Sequence, residues 1–465
     1  MKKKQIMKLN MSSKWFALAL VATSMSIASC SKSDPSPVDP NPNPGSGDVE
    51  VIEGKITSNK VLSASKTYLL RGYVQVMDGG TLEIPAGTII KGEKATKAAL
   101  IVEKGGKLKA NGTATNPIVF TSDQTSGNRN VGDWSGIIIC GKSKVNSADG
   151  TSQYESGVLG ATVATYGGGT NPVLNDNSGE LTYARIEFAG NPIQTDKEIN
   201  GLTLCAVGSE TKIHHIQVSY GGDDAFEFFG GTVNASHLIA YRGTDDDFDF
   251  DQGYTGAIQY GISIKDPMIS DGAGTSRGIE LENKAAVANN MYSRPVLSNF
   301  TFIGPGVGTD VDKHGATVHF GLNSRMVLAN SIIVDGKTAG IEFNSDFPAA
   351  ELKAGRSILS NNMVFGNKAN YVLKDVTSFA SVADLTGYLN GFGDFTVANL
   401  AAAGLTNTTI AAPNLLLKAD SPALGKAKYE GDLASLTKET FIGAMGTTTD
   451  WTKGWASWDP KNNKY

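Results

Sequence analysis

Short hydrophobic segments separated by glycine, asparagine and aspartate dominate the chain from Val51 onward. Apolar and polar positions alternate within some segments, and several apolar residues follow one another in others, which is typical of β-strands. Examples are Thr81–Ile84, Leu100–Val102, Pro117–Phe120 and Gly136–Ile139. Helical periodicity does not extend beyond a turn or two until about Val376. Because glycine adopts positive φ at no steric cost, its place after nearly every segment indicates a tight turn.

A repeat connects these segments. Tyr220–Phe228 returns as Tyr241–Phe250, with an offset of 21 residues at the tyrosine and 22 after Thr244. A second set of strands recurs along the chain, comprising Ile213–Val218, His237–Ala240, Val296–Phe302, Met326–Val334 and Ser357–Val364. Two or three short strands per repeat predict an all-β parallel β-helix, a solenoid whose coils bury their inner faces only by stacking. A β-propeller would need four strands per blade and a period of about 40 residues or more.

The C-terminal part of the chain has a different pattern. Ala380–Leu389 and Ala398–Leu405 are predicted to be short helices. We therefore expect the β-helix over residues 50–372, and the last coils with a small helical and irregular cap over residues 373–465. An open end of a stack exposes backbone groups, so Ser421–Gly425 and the tryptophan-rich C-terminus are expected to cover it.

Polar residues recur at one position of the predicted coils. In strands of the form apolar–X–apolar, X faces outward if the apolar flanks face the core. Stacking would place the X residues in one outer row, made of Thr203, Glu227, Asp249, Glu280, His319 and Glu342. The row beside it would contain Phe229, Asp251, Glu282, Gly321 and Asn344.

Four of these acids are expected to form a square, because adjacent coils are about 4.8 Å apart and i, i+2 neighbours roughly 7 Å apart. The square consists of Asp249, Asp251, Glu280 and Glu282, with Asp247 just upstream. Such carboxylates repel one another or raise one another's pKa values. Ca²⁺ coordinated by these five residues, a cationic or polyhydroxyl ligand, or one protonated carboxyl acting as a general acid would relieve the repulsion. Asp249 and Glu280 are the candidate catalytic residues, although their spacing does not choose between retaining and inverting geometries.

Structural roles are the alternative for these acids. Asp223, Asp224, Asp245 and Asp246 precede apolar strands, and their carboxylates are expected to accept hydrogen bonds from turn amides. Within strands, a ligand-binding role and a solvated face remain open. The candidate ligand-binding residues are Glu227, Asp247, Asp249, Asp251, Glu280, Glu282, His319 and Glu342.

The N-terminus has the features of a secretory signal. A lysine-rich start precedes the apolar segment Trp15–Ile27, and Ile27–Cys30 resembles a bacterial lipobox, in which the cysteine is acylated. We expect residues 1–29 to be a lipoprotein signal peptide, and residues 30–49 to be the acylated Cys30 with a proline-rich tether. A lipid anchor implies the outer membrane, on the cell surface or the periplasmic face. An ordinary signal peptide that ends near a cysteine is the alternative.

Composition and charge exclude several classes of protein. With 465 residues and 40% apolar residues, the chain can bury a large core, which excludes wholesale disorder. The net charge is -5, and removal of five lysines with residues 1–29 leaves 36 basic and 46 acidic side chains, a net of -10. A nucleic-acid partner is not expected, because no basic run lies beyond Lys14. Cys140 and Cys205 lie in apolar segments and are predicted to be buried free thiols.

Several segments also resemble a known family. They are Gly87–Ile90, Gly105–Leu108, Ala110–Thr113, Pro117–Ser122, Gly132–Ile137, Asn175–Gly179, Tyr183–Phe188, Gly222–Asp224, Gly443–Gly446 and Asp450–Trp455. Together they are similar to a right-handed parallel β-helix surface lipoprotein family of Bacteroidetes and related Gram-negatives, which has no established activity. The resemblance covers nearly all of the chain beyond the signal and implies a right-handed, single-stranded parallel β-helix.

Two functions follow as expectations. The first is a monomeric cell-envelope lipoprotein that binds an extracellular ligand, a glycan above all, through its acidic outer face with Ca²⁺ as the candidate ion. The second is a polysaccharide-degrading enzyme, a glycoside hydrolase or a Ca²⁺-dependent lyase, that uses the same carboxylates. A purely structural role is a third interpretation.

Overall fold

The computed structural model describes residues 49–154, 165–194, 197–283, 290–308 and 313–465. The predicted signal peptide, Cys30 and all but the end of the predicted tether lie outside these residues. Within the described ranges, the helices are too short or too polar to cross a membrane.

Within the described residues, 25 strands join into one continuous sheet, and its pairings are parallel throughout. The first strands are β1 Val49–Ile56, β2 Asn59–Val61, β3 Thr67–Val76, β4 Thr81–Pro85, β5 Ile89–Gly92, β6 Ala99–Val102, β7 Lys107–Asn111, β8 Ile118–Ser122 and β9 Gly136–Cys140. One two-stranded sheet follows, made of β10 Ser152–Gln153 and β11 Thr165–Tyr166. The long strand β12 Gly179–Glu187 then returns to the main sheet, and β13 Pro192–Gln194 and β14 Lys197–Glu198 form another two-stranded sheet. Parallel pairing of successive coils confirms the predicted parallel β-helix.

Regular coils occupy the middle of the chain. Their strands are β15 Leu202–Cys205, β16 Lys212–Ser219, β17 Phe226–Phe229, β18 Ala235–Tyr241, β19 Phe248–Asp251, β20 Ala257–Ile264, β21 Ile279–Leu281, β22 Val296–Ile303, β23 Val318–Phe320, β24 Val327–Ala329, β25 Ile332–Val334 and β26 Ile341–Phe343. The chain then forms α1 Asp346–Lys353, β27 Ile358–Ser360, β28 Met363–Phe365, β29 Tyr371–Leu373, α2 Val382–Gly391, α3 Leu400–Ala403, β30 Leu405–Asn407 and β31 Asn414–Leu417.

One face of the solenoid consists of a single short strand from each coil, namely β9, β15, β17, β19, β21, β23, β26 and β29 in consecutive pairing. We call it the short-strand face. Its apolar residues point inward and stack on those of the next coil. Phe226 lies 5.2 Å from Phe248, and Phe320 lies 4.8 Å from Phe343, between ring centroids. This stacking explains why the sequence repeats aromatic residues at the period of the coil.

The long strands β12, β16, β18, β20 and β22 bend in the middle and form the other two faces. The bend falls at one register position, where the backbone adopts the left-handed region with φ between 46° and 65°. The residues at this position are Tyr183, His215, His237, Tyr260, Asn299, Asn330 and Asn361. Asparagine tolerates this conformation well. The first four rings stack in sequence at centroid distances of 4.2, 4.1 and 4.5 Å, which offsets part of the backbone strain.

The first coils of the short-strand face are covered on their outer side. Tyr154 and Tyr166 pack on Phe229, with ring centroids 6.1 and 6.3 Å away. Cys140 and Cys205 are register neighbours beneath them, and both are buried free thiols, as predicted. The outer surface of this face is therefore covered as far as the coil of β17.

The C-terminal segment departs from the expected cap. Helix α2 does close the end of the stack, with Leu385 and Leu389 fully buried on the last coils. The segment after α3 instead runs back along the side of the solenoid, and Tyr465 donates a hydrogen bond to Glu187 Oε1 at 2.8 Å. The reason is an apolar outer surface on the long strands, including Ile239, Ile262 and Ile303, that this tail covers. Helix α1 was not predicted.

Candidate functional site

The predicted outer row is present. Parallel pairing places Thr203, Glu227, Asp249, Glu280, His319 and Glu342 opposite one another on six successive coils. The side chains are less exposed than a solvated face would be, because Thr203, Glu227, His319 and Glu342 are buried. Asp249 and Glu280 are half-buried and lie at the accessible centre of the row. The row is therefore a partly enclosed polar surface.

An acidic cluster lies at the N-terminal ends of β17 and β19. We define it as Asp223, Asp224, Glu227, Asp245 and Asp249. Carboxylate oxygens of Asp224, Glu227 and Asp249 lie within 4.8 Å of one another, and so do those of Asp223, Asp224 and Asp245. The two sets share Asp224, which is 7% exposed. Five acids thus converge on one small region.

Hydrogen bonds hold the buried members of the acidic cluster in place. Asn200 donates from Nδ2 to Glu227 Oε2 at 2.9 Å, and its Oδ1 accepts the backbone N–H of Asp224 at 3.2 Å. Asp224 Oδ1 accepts the backbone N–H of Asp246 at 2.8 Å. This last bond is the turn role predicted for Asp224, and the same carboxylate also belongs to the cluster.

The electrostatics of the cluster favour either protons or a cation. Burial, and then the negative charges of Asp223, Glu227, Asp249 and Asp245, raise the pKa of Asp224 well above its usual value. Burial raises the pKa of Asp245 to about 6, although Lys265 opposes the shift. Like charges at this separation cannot all ionise without cost. Oxygen ligands at this density are those that Ca²⁺ prefers in proteins.

Arg277 bounds the cluster on the next coil. Its Nη1 lies 2.7 Å from Glu280 Oε1 and 3.5 Å from Asp246 Oδ2. Although burial alone would lower the pKa of Arg277, the charges of Asp246 and Glu280 raise it overall. Arg277 is therefore a fixed cation that contacts both Asp246 and Glu280. Asp249 and Glu280 accordingly have different surroundings, even though they are register neighbours.

A histidine and two glutamates form a second polar group further along the row. His319 Nδ1 lies 3.1 Å from Glu342 Oε1, and its Nε2 lies 3.6 Å from Glu282 Oε1. Burial disfavours the imidazolium, but the two glutamates outweigh it and raise the pKa of His319. Lys374 Nζ is 2.8 Å from Glu342 Oε2. A Cβ at position 321 would lie within 2.7 Å of three Glu282 atoms, so Gly321 leaves the space that Glu282 occupies.

The predicted square is therefore divided. Asp249 belongs to the acidic cluster, whereas Glu280 and Glu282 lie with His319 within 4.8 Å. Asp251 Oδ1 accepts the neighbouring backbone N–H of Gln252 at 2.6 Å.

Asp247 is not brought to the other acids, which corrects its placement on the outer face. Its carboxylate is fully buried and lies 3.0 Å from Lys265 Nζ. The alternation of side chains fails here because Asp247 lies in the turn before β19, which begins at Phe248. Its register neighbour on the preceding coil is Ala225, which also belongs to the core.

The sequence pattern did not indicate that Asn200 or the turn residues Asp223, Asp224 and Asp245 take part in this site. The signal for Asp224 was available, since Asp223–Asp224 and Asp245–Asp246 are separated by the 22-residue repeat and must stack. No comparable signal existed for Asn200, which lies outside the repeat, in an irregular segment between β14 and β15.

Comparison with known proteins gives one result. A family model described as a pectate-lyase like β-helix domain matches residues 54–456. Neither the curated proteins nor the solved structures include a significant match to this chain.

Proposed function

The chain belongs to the pectate-lyase-like β-helix family, and from this we propose that it binds an extracellular glycan at the acidic cluster, together with Ca²⁺. The family description supports a carbohydrate ligand in general terms. The choice of site comes from the convergence of Asp223, Asp224, Glu227, Asp245 and Asp249, which is the observation that carries the proposal.

The residues of the acidic cluster fit a calcium ion. Six to eight oxygen ligands are usual for Ca²⁺, and bidentate carboxylates, backbone carbonyls and ligand hydroxyls can all contribute. Asp224 belongs to both overlapping sets of acids and would be the central protein ligand. Asp249 is only half-buried, so an ion held here would still be open to oxygens of a bound glycan. A cation bound at the acidic cluster would also offset the like-charge repulsion that raises the pKa of Asp224.

Binding without cleavage is favoured by the state of Glu280 and Arg277. A general acid must direct its carboxyl group at the substrate, but Glu280 Oε1 is engaged by the Arg277 guanidinium at 2.7 Å. A base for lyase chemistry must be able to lose a proton, and the surrounding acids raise the pKa of Arg277. Both groups suit ligand orientation better than proton transfer.

Glycan hydrolysis is the second candidate function, and the raised pKa of Asp224 favours it. Without a metal, a protonated Asp224 would be a candidate general acid, and the carboxylate oxygens of Asp249 lie within 4.8 Å of it.

We also propose that the protein is anchored to the outer membrane through acylated Cys30, as a member of the surface lipoprotein family of Bacteroidetes and related Gram-negatives. The lipobox-like Ile27–Cys30 and the proline-rich segment after it support this proposal. A tether would present the β-helix to soluble or cell-wall glycans.

Glycan binding is tested by isothermal titration of a polygalacturonate oligomer into the protein, with Ca²⁺ and with EDTA. We expect binding only with Ca²⁺, and loss of at least about tenfold in affinity for Asp249→Asn. Asp420→Asn, at an exposed site on the C-terminal segment, is the matched control. Release of shortened or unsaturated products, abolished by Asp224→Asn, would instead establish cleavage.

A further inference from the structure

A concave region lies on the long strands, where the C-terminal segment crosses them. It contains a cavity of about 490 Å³, within the range of small-molecule sites. The lining residues that matter here are His237, Tyr260, Thr437, Glu439, Thr448 and Trp451. Aromatic rings and hydroxyl groups therefore line the same cavity.

The aromatic rings form a rigid corner. His237 stacks on Tyr260 at 4.5 Å between centroids, and Trp451 meets His237 edge-on at 5.0 Å with an interplanar angle of 83°. Trp451 Nε1 donates to Ala444 O at 2.8 Å, which fixes the indole. Because His215 and Tyr260 already cover both faces of the His237 ring, the indole of Trp451 is the aromatic wall on which a flat, polyhydroxylated ring can stack.

A neighbouring cavity of about 480 Å³ extends this site and shares Thr437 with it. Its lining includes His214, Ser236 and Asn234, which bring hydroxyl, imidazole and amide groups to this cavity. We call the two cavities together the tail groove. Thr437 lines both cavities and is bonded to Gln259, so it marks the boundary between them.

The strap across the tail groove is fastened to the solenoid. Gln259 donates from Nε2 to Thr437 O at 2.7 Å, and its Oε1 accepts the Thr437 backbone N–H at 3.0 Å. Tyr260 donates its hydroxyl to Glu439 Oε1 at 2.8 Å. The groove is thus pre-formed, which lowers the entropy cost of binding.

The charge of the tail groove differs from that of the acidic cluster. Among the described lining residues, charged side chains are limited to Glu439 and Lys212, and Lys212 Nζ is 2.7 Å from Glu180 Oε1. A groove with balanced charge and many hydroxyl and amide groups selects an uncharged, hydroxyl-rich ligand.

We propose that the tail groove is a second carbohydrate site, which binds a neutral oligosaccharide by stacking a sugar ring against Trp451. This site needs no calcium and does not depend on the acidic cluster. A protein with both sites contacts a polysaccharide on two sides, which increases its avidity for long chains.

The test uses cellohexaose, xylohexaose and mannohexaose, each titrated into the full-length protein in EDTA, with calorimetry and tryptophan fluorescence as readouts. We expect at least one hexasaccharide to bind and to perturb Trp451 fluorescence. Thr448→Trp places a bulky ring on the exposed rim and is expected to weaken binding by at least about tenfold. Thr57→Trp, the same change at an exposed position on the first coils, should bind like the unmodified protein.

Trp451→Phe keeps an aromatic ring and is expected to retain folding while it weakens binding. The proposal is overturned if none of the three hexasaccharides binds at about 10 mM. It is equally overturned if one binds but Thr448→Trp has no effect. Asp249→Asn should leave this EDTA-insensitive binding unchanged, which separates a failure here from a failure of the calcium site.

Discussion

Asp249 and Glu280 face each other across the β19–β21 pairing, yet each belongs to a different charged group. Asp249 has Asp224 and Glu227 as neighbours, whereas Glu280 is held by Arg277 at 2.7 Å. Equivalent positions on adjacent coils therefore carry different electrostatic roles. One row of acids contains a carboxylate cluster suited to a cation and an adjoining region in which the acids already have basic partners.

Arg277→Ala should destabilise the protein, because it removes the cation that lies between two acids on a partly buried surface. Loss of one partner of such a pair costs about 3 kcal/mol. Arg71→Ala removes an exposed pair with Glu93 and should cost less than about 1 kcal/mol. Urea denaturation of both variants measures the difference, and equal stability of the two variants would refute this view of Arg277.

The stability of the helical end should decrease as the pH rises towards neutral. Burial raises the pKa of Asp394 to about 7 in the folded protein, from an ordinary value of 3.8. Between these two values the folded state binds the proton and the unfolded state does not, so folding is favoured at the lower pH and this contribution is lost as pH rises through about 7.

Asp394→Asn removes this titration. The free energy of unfolding of the variant should change less between pH 4 and pH 7 than that of the unmodified protein. The difference between the two changes is up to roughly 4 kcal/mol if the whole pKa shift of Asp394 contributes to stability. Thermal unfolding followed by circular dichroism across this range is the measurement. An unchanged pH profile would show that Asp394 does not carry the proton.

Gly321→Ala should lower the pKa of His319. The new methyl group would occupy the space of the Glu282 side chain and force it away from the imidazole. Glu282 and Glu342 both raise the pKa of His319, whereas burial lowers it. With Glu282 displaced, the effect of burial is opposed less strongly and the pKa of His319 falls. NMR titration of the imidazole resonance reports the value directly. Gly272→Ala, at a site with open space, is the control.

Calcium affinity should fall as the solution becomes more acidic. Without the metal, Asp245 titrates near pH 6 and the pKa of Asp224 is raised as well, so protons compete with Ca²⁺ below that range. Calorimetric titrations at pH 5 and pH 7.5 should show weaker binding at the lower pH. An affinity that does not change with pH would place the metal elsewhere.

The fold and the outer row could be predicted from sequence for a specific reason. Phe226–Glu227–Phe228 and Phe248–Asp249–Phe250 repeat the coil period, so their stacking and the direction of the central acid follow from alternation alone. Asp247 could not be placed by this reasoning, because the turn before β19 breaks the alternation and its partner Lys265 lies just after β20.

The path of the C-terminal segment also could not be predicted from the sequence pattern. Trp455 and Tyr465 bind back to Arg185 and Glu187, which are about 270 residues earlier in the chain. Such a contact depends on which outer surface of the solenoid is apolar, and that is known only once all coils are assembled. The tail groove could not be predicted for the same reason, because it forms where the C-terminal segment crosses the long strands.

Calcium binding to the acidic cluster is the central claim, and its most direct test is calorimetric titration of CaCl₂ into the EDTA-treated protein, paired with thermal unfolding. We predict binding and a higher melting temperature, with a gain of about 2.7 kcal/mol when the free ion is 100 times its Kd. The double variant Asp224→Asn/Asp249→Asn should lose both effects, and Asp420→Asn should keep them. Absence of binding heat in the unmodified protein, or identical calcium responses in the double variant, would contradict the account.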